Sequence, residues 1–333
     1  MLWRLWLFLY GGFLRGWIKW VFRQLSGRCE LQRICYRHKT GATRALAIAV
    51  ENGFSNACAY VPKVLCSAVK VSEPEVEKTA EEIMHVKKIN PSTNPTFAPV
   101  LQACLLQISG YHALTKEVEE IRKERYDSEN KTHEEALLKL WALLMPEVTL
   151  KARITKQWGD IGFQGDDPST DFRGMGMLGL LNLLYFAEEH TTAARQVLSH
   201  SHHPKYGSLQ KKQLYSSATK EWLKKKHIKV LEFSYAIVGI NITELAYTLL
   251  FAGAMKSHFY NIIPAAPRLV HFHQAFCYLF HEFDAFWLKE EPRDIMEFNR
   301  VRELFRQQVQ DQLSSDEAVL VPRFDSTPAS VPT

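Results

Sequence analysis

Apolar residues recur at three- and four-residue steps through most of this chain, the spacing that lines one face of an α-helix. Glu73–Lys88 carries Val76, Ala80, Ile83 and Val86 in that register. Leu101–Arg125 continues it through Leu105, Ile108 and Val118, with an interruption predicted at Gly110. Glu134–Met145 predicts a helix stopped by Pro146, because proline disfavours helical backbone in the residue before it. Met177–Glu189 is strongly apolar, Ala193–Leu198 is short, and Phe233–Lys256 is long and mostly apolar. Phe272–Trp287 is rich in aromatics, and Asp294–Leu313 mixes charged and apolar positions as a half-exposed closing helix does. Between these runs lie the three prolines of 90–99, the polar stretch Tyr126–Thr132, His202-His203-Pro204, and Pro264–Pro267. No alternating strand series and no fixed repeat is visible, so the predicted fold is all-α.

The pattern divides the chain into three parts. Residues 1–45 form a hydrophobic and basic N-terminal region, 46–313 one large helical domain, and 314–333 a disordered tail ending in DSTPASVPT. Hydrophobic residues make up 46% of the 333, enough for a substantial core.

Charge changes the picture only at the N-terminus. The whole chain carries +5, but residues 1–44 hold nine Lys/Arg against one acid, Glu30, for +8. The remainder is therefore −3, which argues against nucleic acid as a partner. A second basic stretch at 205–229 sets eight lysines against Glu221; a solvated face is its ordinary reading. The cysteines Cys29, Cys35, Cys58, Cys66, Cys104 and Cys277 show no paired framework and read as reduced thiols facing the cytosol.

On a helical projection of residues 3–24, Arg4, Arg15, Lys19 and Arg23 share one side, and Trp6, Phe13, Trp17 and Trp20 the opposite side. Leu5 and Phe8 make the segregation imperfect. The longest uncharged run is the ten residues Leu5–Leu14, short of the ~20 a spanning helix needs. Burying Arg15 and Lys19 near a bilayer centre would cost roughly 2.5–3.5 kcal/mol each. No small-residue cleavage site follows the run, as a signal peptide requires. Residues 1–24 are therefore expected to lie on a membrane surface, with packing on the protein's own body as the plain alternative. An Arg-rich, acid-poor helix also fits mitochondrial targeting information.

Several candidate constellations weaken on inspection. Gly174, Gly176 and Gly179 match GxGxxG, but a turn rather than a strand precedes them; close helix packing is the better reading. His273, Cys277 and His281 share a helix face, yet three ligands on one helix span ~12 Å, too far for one ion. His200, His202 and His203 are a similar weak case, and no metal or cofactor site is assigned. GxxxxGK[ST], GxSxG and HExxH are absent, so an independent active site is not expected.

Trp158–Phe186 reads WGDIGFQGDDPSTDFRGMGMLGLLNLLYF. A polar loop carrying Asp166, Asp167 and Asp171 presents Arg173 and runs into a very apolar helix. An arginine offered in trans stabilises charge developing on a transferred phosphoryl group, an effect of roughly 10³–10⁵ in GTPase rates. From the residues alone, an ion pair between Arg173 and Asp167 or Asp171 that merely fixes the loop is favoured.

This segment resembles the signature of the ELMO domain. The runs at 27–35, 103–111, 233–250 and 295–305 resemble the ELMO-domain-containing subfamily as well, so the likeness spans nearly the whole chain. The resemblance implies a GTPase-activating protein for Arf and Arf-like small GTPases in their GTP-bound state, with Arg173 as the required arginine of DxRGxG. It implies no cofactor of its own, since GTP and Mg²⁺ belong to the partner. Asp171 and Gln164 are expected to orient the loop and Trp158 and Phe163 to pack it. Gly162, Asp167, Pro168, Gly174 and Gly176 complete the candidate site. The larger ELMO engulfment proteins, which partner a Rac exchange factor, do not keep this arginine. The alternative is a non-catalytic adaptor that binds GTPases or exchange factors. The expected location is the cytoplasmic face of the endoplasmic reticulum, Golgi, lipid droplet or mitochondrion.

Overall fold

The structure is a computed structural model that describes residues 15–29, 31–33, 47–48, 50–51, 71–201, 233–293, 295–322 and 324. Residues 1–14, the basic stretch 205–229 and the end of the tail lie outside the described residues, and of Arg15, Gly16, Lys19 and Arg173 only the backbone is described. The helices are α1 Arg15–Ser26, α2 Val76–Val86, α3 Phe97–Lys123, α4 Lys131–Leu144, α5 Gly176–Glu189, α6 Thr191–Ser201, α7 Tyr235–Phe251, α8 Lys256–Ile262, α9 Leu269–Glu290 and α10 Phe298–Leu313. Among the described residues there is no strand, and the all-α expectation holds.

The chain forms two compact units, one of residues 1–113 with 256–267 and one of 114–255 with 268–333. Residues 46–113, assigned from sequence to the main domain, thus group with 1–45 and 256–267. In this first unit Gln107 of α3 donates through Nε2 to the carbonyls of Tyr260 at 3.2 Å and Ile263 at 2.7 Å. The Tyr111 ring meets Phe259 and Tyr260 edge-on. Gly110 does not interrupt α3. A Cβ there would stand 2.6 Å from Ala266 Cα, so the glycine permits a close approach rather than a break.

α1 is unlike the other helices. Trp17 is 64% exposed, Trp20 57%, Phe22 49% and Leu25 80%. Arg33 stands over the Phe22 ring, 5.0 Å from its centroid. No single helix among the described residues is long and apolar enough to cross a membrane.

The second unit is built around α5, whose apolar run is buried on nearly every side by α4, α6, α7 and α9. Gly239 of α7 approaches Leu183 of α5 so closely that a Cβ would lie 2.4 Å from Leu183 Cδ2. The long helix expected over Phe233–Lys256 is shorter, Tyr235–Phe251. α7 ends at Phe251 because Gly253 adopts φ +76°, and Ala254 N–H returns to Leu249 O at 3.0 Å, closing the helix before α8 begins. Part of the sequence-assigned tail is packed: Ala318 and Leu320 are buried, and the Phe324 ring lies against Phe186, His190 and His281.

Candidate functional site

The signature folds as two 3₁₀ turns, Lys156–Ile161 and Pro168–Arg173, leading into α5. Trp158 is fully buried, and its Nε1 donates to Arg153 O at 2.8 Å. From it an aromatic row runs through the loop. Trp141 and Phe163 meet Trp158 edge-on at 5.4 and 5.9 Å between centroids; Phe163 meets Phe172 at 5.5 Å; Phe172 meets Tyr126 at 5.3 Å. These are favourable edge-to-face and tilted geometries, each worth roughly 0.5–1.5 kcal/mol beyond burial.

Glycine is required where the two turns meet their neighbours. Gly162 closes the first turn at φ +85°, and a Cβ there would stand 2.3 Å from Tyr235 N. Gly176 opens α5 at φ +52°, where a Cβ would stand 2.3 Å from Glu124 O and 2.4 Å from Arg122 O. The Met177 N–H donates to Glu124 O at 2.8 Å, so the start of α5 is tied to the end of α3, with opposite helix-end partial charges facing. Gly174 differs: nothing lies within 4 Å of its notional Cβ. The GxGxxG match is thus a packing device at Gly176, preceded by a turn.

The carboxylates hold the loop. Asp171 Oδ2 accepts the Gln164 N–H at 2.7 Å, closing 164–171. Asp167 caps the second turn, accepting Ser169 N–H at 2.9 Å and Arg153 Nη1 at 3.0 Å, with Pro168 at the first position of the turn. Partial burial works against the Asp167 charge, but these donors outweigh it and hold its carboxyl below the usual range. Arg153 also pairs with Glu134 and donates to Tyr126 Oη at 3.3 Å, so its guanidinium ties α4 to the second turn while its carbonyl takes the Trp158 bond of the first. The sequence offered no local signal for Arg153, which lies 14 positions from Asp167. Arg173 is the last residue of the second turn; its side chain is outside what the structure describes.

Beside the signature is a cleft of about 540 Å³ lined by Arg122, Lys123, Arg125, Tyr126, Ser169, Phe172 and Gly176. Arg122 and Lys123 share one carboxylate, Glu119, at 2.7 and 3.0 Å. Hydrogen bonds from Arg122, Tyr247 and Lys123 hold Glu119 well below the usual carboxylate range. From sequence, no role is assigned to Arg122, Lys123 or Arg125, which stand at the C-terminal end of α3.

The histidines flagged for metal are occupied otherwise. His273 Nδ1 is 2.6 Å from Asn182 Oδ1, Tyr185 stacks on its ring, and burial lowers its pKa to about 4. Burial pushes the Cys277 thiol up, and His281 packs on Phe324. His200 Nδ1 lies 2.6 Å from Asp284 Oδ2, a bond that raises the imidazole pKa; burial raises the Asp284 carboxyl, and His200 offsets this only in part. His202 and His203 lie outside the described residues. Among the described residues no group of three or more His, Cys, Asp and Glu is arranged to hold a metal ion.

Comparison with known proteins returns the ELMO/CED-12 family, whose profile matches residues 116–302. The chain is 55% identical to human ELMO domain-containing protein 1 over 318 residues, 96% of this chain and 94% of that protein. It is 50% identical to Bos taurus ELMO domain-containing protein 2 over 306 residues, 92% and 94% of the two chains. It is 32% identical to Dictyostelium discoideum ELMO domain-containing protein B over 295 residues, 87% and 92% of the two. No solved structure matches.

Proposed function

Because the chain belongs to the ELMO/CED-12 family, we propose that it is a GTPase-activating protein for Arf-family small GTPases, offering Arg173 in trans to the bound nucleotide. The observation that carries this reading is the frame around position 173. Phe172 is buried in the aromatic row, Asp167 and Asp171 fasten the turn, and Gly176 is locked against the end of α3. Gly174, directly after the arginine, faces open space. A rigid frame that ends at an open position limits the ordering cost of presenting one side chain to a partner. Of the two carboxylates that could pair with Arg173 and merely fix the loop, Asp167 is held by Arg153.

In this reading the protein has no active site of its own. GTP and Mg²⁺ are bound by the partner, and the arginine's planar, permanently charged fork spreads over the γ-phosphate oxygens in the transition state. The test is GTP hydrolysis by GTP-loaded Arf and Arf-like proteins with and without the full chain. An adaptor predicts binding without acceleration.

We further propose that α1 rests on an anionic membrane surface and brings the activator to lipid-bound GTPases. Around α1 the apolar residues Trp17, Ile18, Trp20, Val21, Phe22 and Leu25 occupy one arc, broken only by Gln24, and Arg15, Lys19 and Arg23 fall on the other. Tryptophan favours the headgroup boundary, and the cations favour anionic lipid. The exposure of Trp17, Trp20 and Leu25 supports this over packing on the protein's own body.

A further inference from the structure

We infer that the basic cleft between the end of α3 and the second 3₁₀ turn is the docking site for an acidic segment of the partner GTPase, with Arg125 as its capturing residue. The inference rests on the activator reading and extends it from the nucleotide to the protein surface around it. Position selects this cleft. Ser169, Phe172 and Gly176 form one wall, and they bracket Arg173 in the chain. A partner whose nucleotide meets residue 173 must lay neighbouring surface over this wall.

Charge sets the chemistry of what fits. Three cations line the cleft, and the one carboxylate that answers them, Glu119, is shared by Arg122 and Lys123. The nearby acids are committed elsewhere: Glu124 to His133, Glu120 to Lys116 and Glu134 to Arg153. Arg125 is exposed and has no hydrogen bond or ion pair among the described residues. A guanidinium so placed can donate two parallel hydrogen bonds to a carboxylate without first giving up another partner.

The floor is stiff. Tyr126 packs in tilted contact with both Phe172 and His133, and its hydroxyl is held by Glu134 and Arg153. An aromatic floor under a charged rim is the anatomy of a protein-binding surface. Three cations at the end of α3 would by themselves only offset the helix's negative end. That role predicts a change in stability when Arg125 is altered, whereas docking predicts a change in half-saturation and salt dependence.

The experiment compares wild type with Arg125→Glu, full chain, in two assays without vesicles. One is single-turnover GTP hydrolysis across a range of activator concentration. The other is direct binding to GTPase loaded with a non-hydrolysable GTP analogue. Docking predicts that Arg125→Glu raises the half-saturating concentration and weakens binding by roughly tenfold or more, leaves the saturating rate near wild type, and flattens the salt dependence. The thermal melt should coincide with wild type, because Arg125 holds nothing in the fold. Unchanged half-saturation and salt dependence would overturn the docking site while leaving the Arg173 reading intact. In a third, separate measurement of binding to phosphatidylserine vesicles, a variant that loses vesicle binding while its two solution assays match wild type would overturn it in favour of a lipid phosphate. If wild type binds the loaded GTPase without speeding hydrolysis, the activator reading fails, and the binding assay alone still decides the cleft. If wild type binds none of the GTPases, both fall.

Discussion

Two stretches of this chain carry prominent aromatic residues, and the fold treats them in opposite ways. In the signature, Trp158, Phe163 and Phe172 are buried and stacked in a row that fixes two short turns. In α1, Trp17, Trp20 and Phe22 stand out in solvent. The neighbours explain the difference. The signature aromatics are surrounded by groups that settle the two turns around them: the hydrogen-bonding Arg153, Asp167 and Asp171, and the positive-φ Gly162 and Gly176. In α1 the side chains of Trp17, Trp20 and Leu25 are mostly exposed, and Phe22 is covered in part by Arg33. One set of rings builds a platform; the other is exposed among the described residues, and the membrane contact proposed for it is open to test.

The comparison breaks most severely at the row's anchor. Trp158→Ala removes a fully buried indole and its hydrogen bond to Arg153 O, and should cost about 3–5 kcal/mol, read from urea unfolding. Acid should act next. His273, buried behind α5 against Asn182, has its folded pKa lowered to about 4 from an ordinary 6.5. The folded state thus prefers the neutral ring, and the stability this gives is present above pH 6.5. It is lost as pH falls from there toward 4, by about 3 kcal/mol in all. His273→Gln should flatten that part of the stability profile relative to wild type.

Gly176→Ala combines a left-handed backbone with a Cβ 2.3 Å from Glu124 O, for a loss of roughly 2–4 kcal/mol. Gly174→Ala, two residues away with φ −82° and open space, should leave the melting curve nearly unmoved or raise it slightly. Equal effects at the two glycines would contradict the frame described here. The smallest stability effect is expected in α1. Trp17→Ser with Trp20→Ser should stay within about 0.5 kcal/mol of wild type. The same pair should lose flotation with phosphatidylserine-containing vesicles; retained flotation would remove α1 from the membrane account.

Much of the fold was legible because apolar spacing reports helices directly. The misses have physical causes. Gly110 looked like a break, but a glycine inside a helix also serves a close approach, here of Ala266, which periodicity does not reveal. The end of α7 at Phe251, before Gly253, was hidden because the run stays apolar through the turn. Ala318, Leu320 and Phe324 lie in a polar, proline-containing tail whose composition masks them. At the site, the packing of Trp158 and Phe163 and the tie from Asp171 to Gln164 could be read from the motif itself. Arg153 and the cations of α3 could not, because they reach the loop through tertiary structure rather than through sequence spacing.

The most direct measurement is single-turnover GTP hydrolysis by a panel of Arf and Arf-like GTPases, with wild type and Arg173→Lys side by side and both shown to be folded by their melts. The account predicts acceleration by wild type and loss of most of it in Arg173→Lys, because an ammonium cannot reproduce the guanidinium fork. Full acceleration by Arg173→Lys, or none by wild type on any member with membranes supplied, would contradict it.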